Sequence, residues 1–164
     1  MRCYYQTKDY TEANVASKEL LARKGISTDD KSIGFLVLGK TAQTSGDCAE
    51  AIKSFKAVSS INRSAWGAEA RYEIASCQYT QNNFAAAEKA ALATIKETGS
   101  YDEWVTKSYI LMGDIFMQQK DYFNAKATYE SVAKNASLPA LKTLAQQKLD
   151  AAIATEKLNS KISN

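Results

Sequence analysis

Apolar and small residues recur along this chain at offsets of 3, 4 and 7. That spacing puts side chains on one stripe of an α-helix. Four alanines, Ala13, Ala51, Ala87 and Ala125, lie 38, 36 and 38 residues apart. Three places before each stands Tyr10, Cys48, Phe84 or Tyr122, and twelve places before the last three stands Gly39, Ala75 or Gly113. Counted so that this small residue is position 8, full units begin at Ser32, Ala68 and Thr106. The third unit carries Tyr109, Met112, Gly113 and Phe116 on its first helix, then Tyr122, Ala125, Tyr129 and Val132 on its second. The first carries Phe35, Leu38, Gly39 and Ala42, then Cys48, Ala51, Phe55 and Val58; the second carries Ile74 and Ala75, then Phe84, Ala87 and Ala91. The pattern predicts two antiparallel helices per unit, close where residues 8 and 20 are small. A lone pair leaves one face uncovered, so neighbouring units stack. No stretch of strict alternation between turn residues predicts a strand.

Turn chemistry falls between the helices. Ser45-Gly46-Asp47, Asn82-Asn83 and Lys120-Asp121 link the paired helices, and Gly or Asn suits the left-handed residue at a helix end. Gly25 is expected to close the first long helix, with Ser27-Thr28-Asp29-Asp30 capping the next and Ser100-Tyr101-Asp102-Glu103 capping the last repeat. Ser137-Leu138-Pro139 opens a terminal helix. Leu141, Leu144, Ala145, Lys148, Leu149, Ala152 and Ile153 form its inner stripe, and Lys142, Gln146, Gln147, Asp150, Glu156 and Lys157 its outer face. It reads as a cap over the last repeat.

These units resemble the tetratricopeptide repeat over residues 1 to about 137, best in the third unit through Tyr109, Gly113, Phe116, Ala125 and Tyr129. The resemblance implies an all-α, right-handed superhelical stack of antiparallel helix pairs with a C-terminal capping helix. The expected division is a truncated repeat at 1–31, repeats at 32–67, 68–105 and 106–137, and a cap at 138–160, in one domain. Met1-Arg2-Cys3-Tyr4 starts like a helix interior, so the chain is expected to begin within a repeat of a longer array. There are departures: Ser137 replaces the repeat proline, Arg71 and Gln78 replace aromatics, and the period exceeds the usual ~34 residues. Trp66 and Trp104, 38 apart, are expected to pack linkers rather than stack on a ligand.

Composition narrows the chemistry. The 164 residues carry a net charge of +3 with no basic block, so capture of nucleic acid has no support, and no apolar run approaches the ~18 residues of a membrane span. The chain has no histidine, which excludes His-based triads, His metal ligands and His acid–base chemistry. Its three cysteines, Cys3, Cys48 and Cys77, lack metal-type spacing and read as buried small residues. Carboxylates are scattered, and Asp29-Asp30 and Asp102-Glu103 stand where helix N-termini favour negative charge. Ser17-Lys18 and Lys107-Ser108 have no glycine-rich elbow beside them. Asn62-Arg63-Ser64 and Asn135-Ala136-Ser137 match the glycosylation triplet, which is common by chance.

One motif points elsewhere. Gly34-Phe-Leu-Val-Leu-Gly-Lys-Thr41 spells the phosphate-binding loop, and Asp114 could be offered as its magnesium ligand. The segment before it is polar and cap-like, its interior is bulky and apolar, and Gly39 is a repeat position. It is expected to be helix, which leaves nucleotide binding a remote alternative. No catalytic, cofactor or metal site is expected.

By the resemblance, the first helices line a concave groove. Its residues here are Ile33, Leu36, Lys40 and Gln43, then Tyr72, Ser76 and Tyr79, then Lys107, Ile110, Asp114 and Met117. Tyr and Met are common anchors at protein interfaces. The carboxylate clamp of chaperone-binding members, Lys at position 5 and Asn at position 9, is absent. The expected function is a non-catalytic scaffold holding a protein or peptide partner. The alternative is a structural segment of a larger envelope array, self-associating through Tyr4, Tyr5 and Tyr10. A looser likeness to bacterial envelope repeat proteins favours the periplasm or cell envelope over the cytoplasm.

Overall fold

The computed structural model describes residues 10–162. The expectations for Cys3, Tyr4, Tyr5 and the opening helix lie outside the described residues. The described chain is eight helices in order: α1 (Tyr10–Leu21), α2 (Thr28–Thr44), α3 (Cys48–Ile61), α4 (Ala65–Thr80), α5 (Phe84–Glu97), α6 (Asp102–Gln118), α7 (Tyr122–Asn135) and α8 (Pro139–Ile162). No strand occurs among the described residues. The chain forms two compact units, divided between Ala90 and Ala91 within α5.

The turns follow one rule three times. Gly46, Asn82 and Lys120 sit at φ of 82°, 58° and 60°. In each case the next amide donates five residues back: Asp47 to Ala42 at 2.8 Å, Asn83 to Gln78 at 2.9 Å and Asp121 to Phe116 at 2.9 Å. These bonds satisfy carbonyls that a helix end leaves open. Side chains then start the following helices. Asp47 accepts from the Glu50 amide at 3.0 Å and Asp121 from the Asn124 amide at 3.1 Å. Ser27 does the same for α2, accepting from the Asp30 amide at 3.0 Å. The expected cap on α6 is different: Tyr101 holds the N-cap position with no side-chain bond, leaving Asp102 and Glu103 to complement the first turn. α1 also stops at Leu21, four residues short of Gly25, which adopts φ 73° in the following turn.

In the first unit α1 packs on α2, and α2, α3 and α4 pack mutually. Leu36, Ala51, Phe55, Val58, Ala70 and Cys77 form the core, with Trp66 and Phe35 against it. Trp66 therefore packs the α3–α4 link, as its period suggests. Asn62 ends α3 buried, donating to Ser32 Oγ at 2.9 Å and accepting from the Ser64 amide at 2.7 Å. A glycan has no room on it.

In the second unit α6, α7 and α8 pack in the same mutual way. Ile110, Ala125, Tyr129, Val132, Ala145 and Ala152 form its core, with Phe116, Met117, Leu141 and Leu149 against it. α8 presents Lys142, Gln146, Gln147, Asp150 and Lys157 to solvent, the polar face expected of a cap. Lys126 reaches across from α7 to Glu156 at 2.5 Å.

Gly39 and Gly113 explain the small residue at position 8. A Cβ on Gly39 would lie 2.4 Å from the Phe55 ring, and one on Gly113 would lie 2.4 Å from the Tyr129 ring. The aromatic of the second helix thus lies directly on the backbone of the first.

Candidate protein-interaction face

The phosphate-loop letters Gly34–Thr41 lie inside α2. Thr41 Oγ1 donates to the Val37 carbonyl at 2.9 Å, a helix-internal bond. The segment therefore has no curled loop of amides to cradle a phosphate. Lys40 is engaged elsewhere: its ammonium pairs with Glu69 at 3.3 Å and with Glu73. Gln43 Nε2 donates to Glu73 Oε2 at 2.8 Å and to Cys77 Sγ at 3.6 Å. This network ties α2 to α4. Glu69 and Glu73 are buried, so their charge depends on Lys40 for compensation.

The expected groove residues divide by what covers them. Ile33, Leu36 and Ile110 are at most 5% exposed and belong to the interior, so they present no surface to a partner. Lys40 and Gln43 are spent on the α2–α4 network. Asp114 accepts from Tyr129 Oη at 2.5 Å and from Lys148 Nζ at 2.7 Å, which ties α6 to α8. Met117 packs toward the second core. Lys107 pairs with Glu103 at 2.6 Å and lies 4.2 Å from the Trp104 ring centroid, a cation–π contact at half-exposed side chains.

Tyr72, Ser76 and Tyr79 remain. They stand at offsets of 4, 3 and 7 along α4, so they share one stripe, and all three are half-buried. Tyr79 also meets the Phe84 ring, with centroids 5.7 Å apart and planes tilted by 57°. The residues that sequence reasoning missed are the second halves of the ion pairs. Glu73 lies 33 residues after Lys40, and Lys148 lies 34 after Asp114. Opposite charges about one repeat apart were the available signal.

Among the described residues no group of metal-type side chains converges, and no helix is long and apolar enough to cross a membrane. Paired helices with a glycine under an aromatic define the class: an all-α helical-repeat protein. The model of the tetratricopeptide repeat-like domain family matches residues 4–154, and the chain belongs to that family. Repeats of this kind serve in general as scaffolds for protein–protein interaction. No match is found among curated proteins or solved structures.

Proposed function

We propose that the chain is a non-catalytic scaffold that holds an extended segment or helix of another protein on the Tyr72–Ser76–Tyr79 stripe of α4. The observation that carries this reading is two half-buried tyrosines on one stripe, beside the buried Lys40–Glu69–Glu73–Gln43 network. A fixed aromatic pair offers contact area at low entropic cost on binding. The network supplies the fixity by holding α2 and α4 in one register. The non-catalytic part of the reading is supported by the helical state of Gly34–Thr41 and by the engagement of Lys40 with carboxylates.

The test begins with capture of a partner from extracts of the source cell, followed by titration of the purified pair. Tyr72→Ala should weaken binding at least ~10-fold, the scale of an interface anchor, with an unchanged helical spectrum. Tyr79→Ala should weaken it similarly but also lower stability, because it removes the Phe84 contact. Undiminished affinity in both variants would overturn the α4 site. Submillimolar ATP binding to the wild type would overturn the non-catalytic reading.

A further inference from the structure

The mutual packing of α3 and α4 encloses two sulfur atoms. Cys48 is the first residue of α3 and is 6% exposed, while Cys77 in α4 is fully buried. Both are free thiols, both belong to the first unit's core, and the Cys48 side chain lies within hydrogen-bonding reach of Cys77. Repeat packing does not call for sulfur at either place. The residues equivalent to Cys48 are Tyr10, Phe84 and Tyr122, and those equivalent to Cys77 are Thr41 and Ile115. Among the described residues, two thiols meet at this one helix interface.

We propose that Cys48 and Cys77 form a reversible modification site, oxidised to a disulfide between α3 and α4 by a small-molecule disulfide. Cys48 reacts first. It sits at the edge of the core and at a helix N-terminus, where aligned amides favour the thiolate. Its thiolate attacks one sulfur of the reagent, whose S–S bond breaks and releases one reagent thiolate, which takes up a proton. Cys48 then carries a mixed disulfide. Cys77 loses its proton and attacks the Cys48 sulfur, the mixed disulfide breaks, and the second reagent thiol leaves. Two protein thiols are oxidised and one reagent disulfide is reduced to two thiols. Cys77 suits the second role. Burial above all, then the neighbouring Cys48, pushes its thiol up to about 12, so it stays protonated and unreactive until a disulfide is placed beside it.

The experiment uses the full chain, incubated with oxidised glutathione at pH 8 and compared with a sample kept in dithiothreitol. Two thiols should disappear from titration, the intact mass should fall by about 2 Da, and digestion should yield a linked Cys48–Cys77 peptide. Tm should rise by roughly 5 °C, because the link constrains the unfolded chain, and dithiothreitol should reverse it. Cys48→Ser should abolish the mass loss. A glutathione adduct that persists on Cys48, a link to Cys3, or undiminished thiol titration of the wild type would each overturn the proposal. The wild-type mass and peptide map decide it even if a cysteine variant fails to fold.

Discussion

The α2–α3–α4 and α6–α7–α8 triplets meet one packing problem with opposite charge. In the first, the Phe55 ring lies on Gly39, and the next residue, Lys40, reaches to Glu69 and Glu73 on α4. In the second, the Tyr129 ring lies on Gly113, and the next residue, Asp114, accepts from Lys148 on α8. The apolar contact is the same because two helix backbones can approach so closely only over a residue without a side chain. The polar contact is free to invert because what matters is that each charge is answered. The hydroxyl follows the charge: Tyr129 has one and gives it to Asp114, whereas Phe55 stands beside Lys40 and has none. The middle repeat varies the rule in sequence alone, with Ala75 at position 8 and small Ala91 where the others carry an aromatic.

The comparison breaks most readily at the glycines. Gly39→Ala and Gly113→Ala should each lower unfolding free energy by about 3 kcal/mol in urea titration, the upper range for overpacking, although alanine favours a helix by about 1 kcal/mol. Unequal losses would show that the two contacts are not the same. The aromatic exchange sharpens the contrast. Phe55→Tyr places a buried hydroxyl beside an ammonium that cannot accept its proton and should cost about 2 kcal/mol. Tyr129→Phe removes a bond to a carboxylate and should cost about 1.5 kcal/mol, with the Asp114–Lys148 pair intact. A stabilising Phe55→Tyr would contradict the dependence of the hydroxyl on its neighbour. The smallest effect concerns the turns. Lys120→Gly should add about 0.5 kcal/mol, since glycine takes a φ of 60° without the strain a side chain meets there. The equivalent Gly46→Lys should lose a similar amount.

Much of this architecture was legible. The 36-to-38-residue spacing of Gly39, Ala75 and Gly113 marked the helix pairs because close backbone approach leaves few residue choices. Gly46, Asn82 and Asp121 marked the turns because a left-handed residue and a cap need those side chains. The cap was legible from the polar face of α8. Residue equivalence makes its role plainer: Trp66, Ala70, Glu73 and Cys77 of α4 correspond to Leu141, Ala145, Lys148 and Ala152 of α8, each 75 residues on. By that count exposed Asp150 stands where α4 has buried Ala75, so the face that would receive a second helix is charged.

The interaction face was less legible. Periodicity assigns Ile33, Leu36 and Ile110 to a stripe but does not tell which stripe a neighbouring helix covers, and all three are buried. Lys148 was placed among the apolar positions of α8, and its stem does lie inward while its ammonium reaches Asp114. Glu73 drew no notice because its partner lies on another helix, a distance at which one-helix patterns carry no information.

The most direct measurement is a charge-exchange cycle between α6 and α8, using Asp114→Lys, Lys148→Asp and the double variant, followed by urea unfolding. These side chains are more exposed than Lys40 and its partners, so each single change should cost about 1 to 2 kcal/mol by setting like charges together. The double variant should recover at least about 1 kcal/mol of the summed loss, because the inverted polarity already serves between α2 and α4. Losses that simply add would mean that the two sites do not act on each other, and would contradict the account of helices pinned by answered charges one repeat apart.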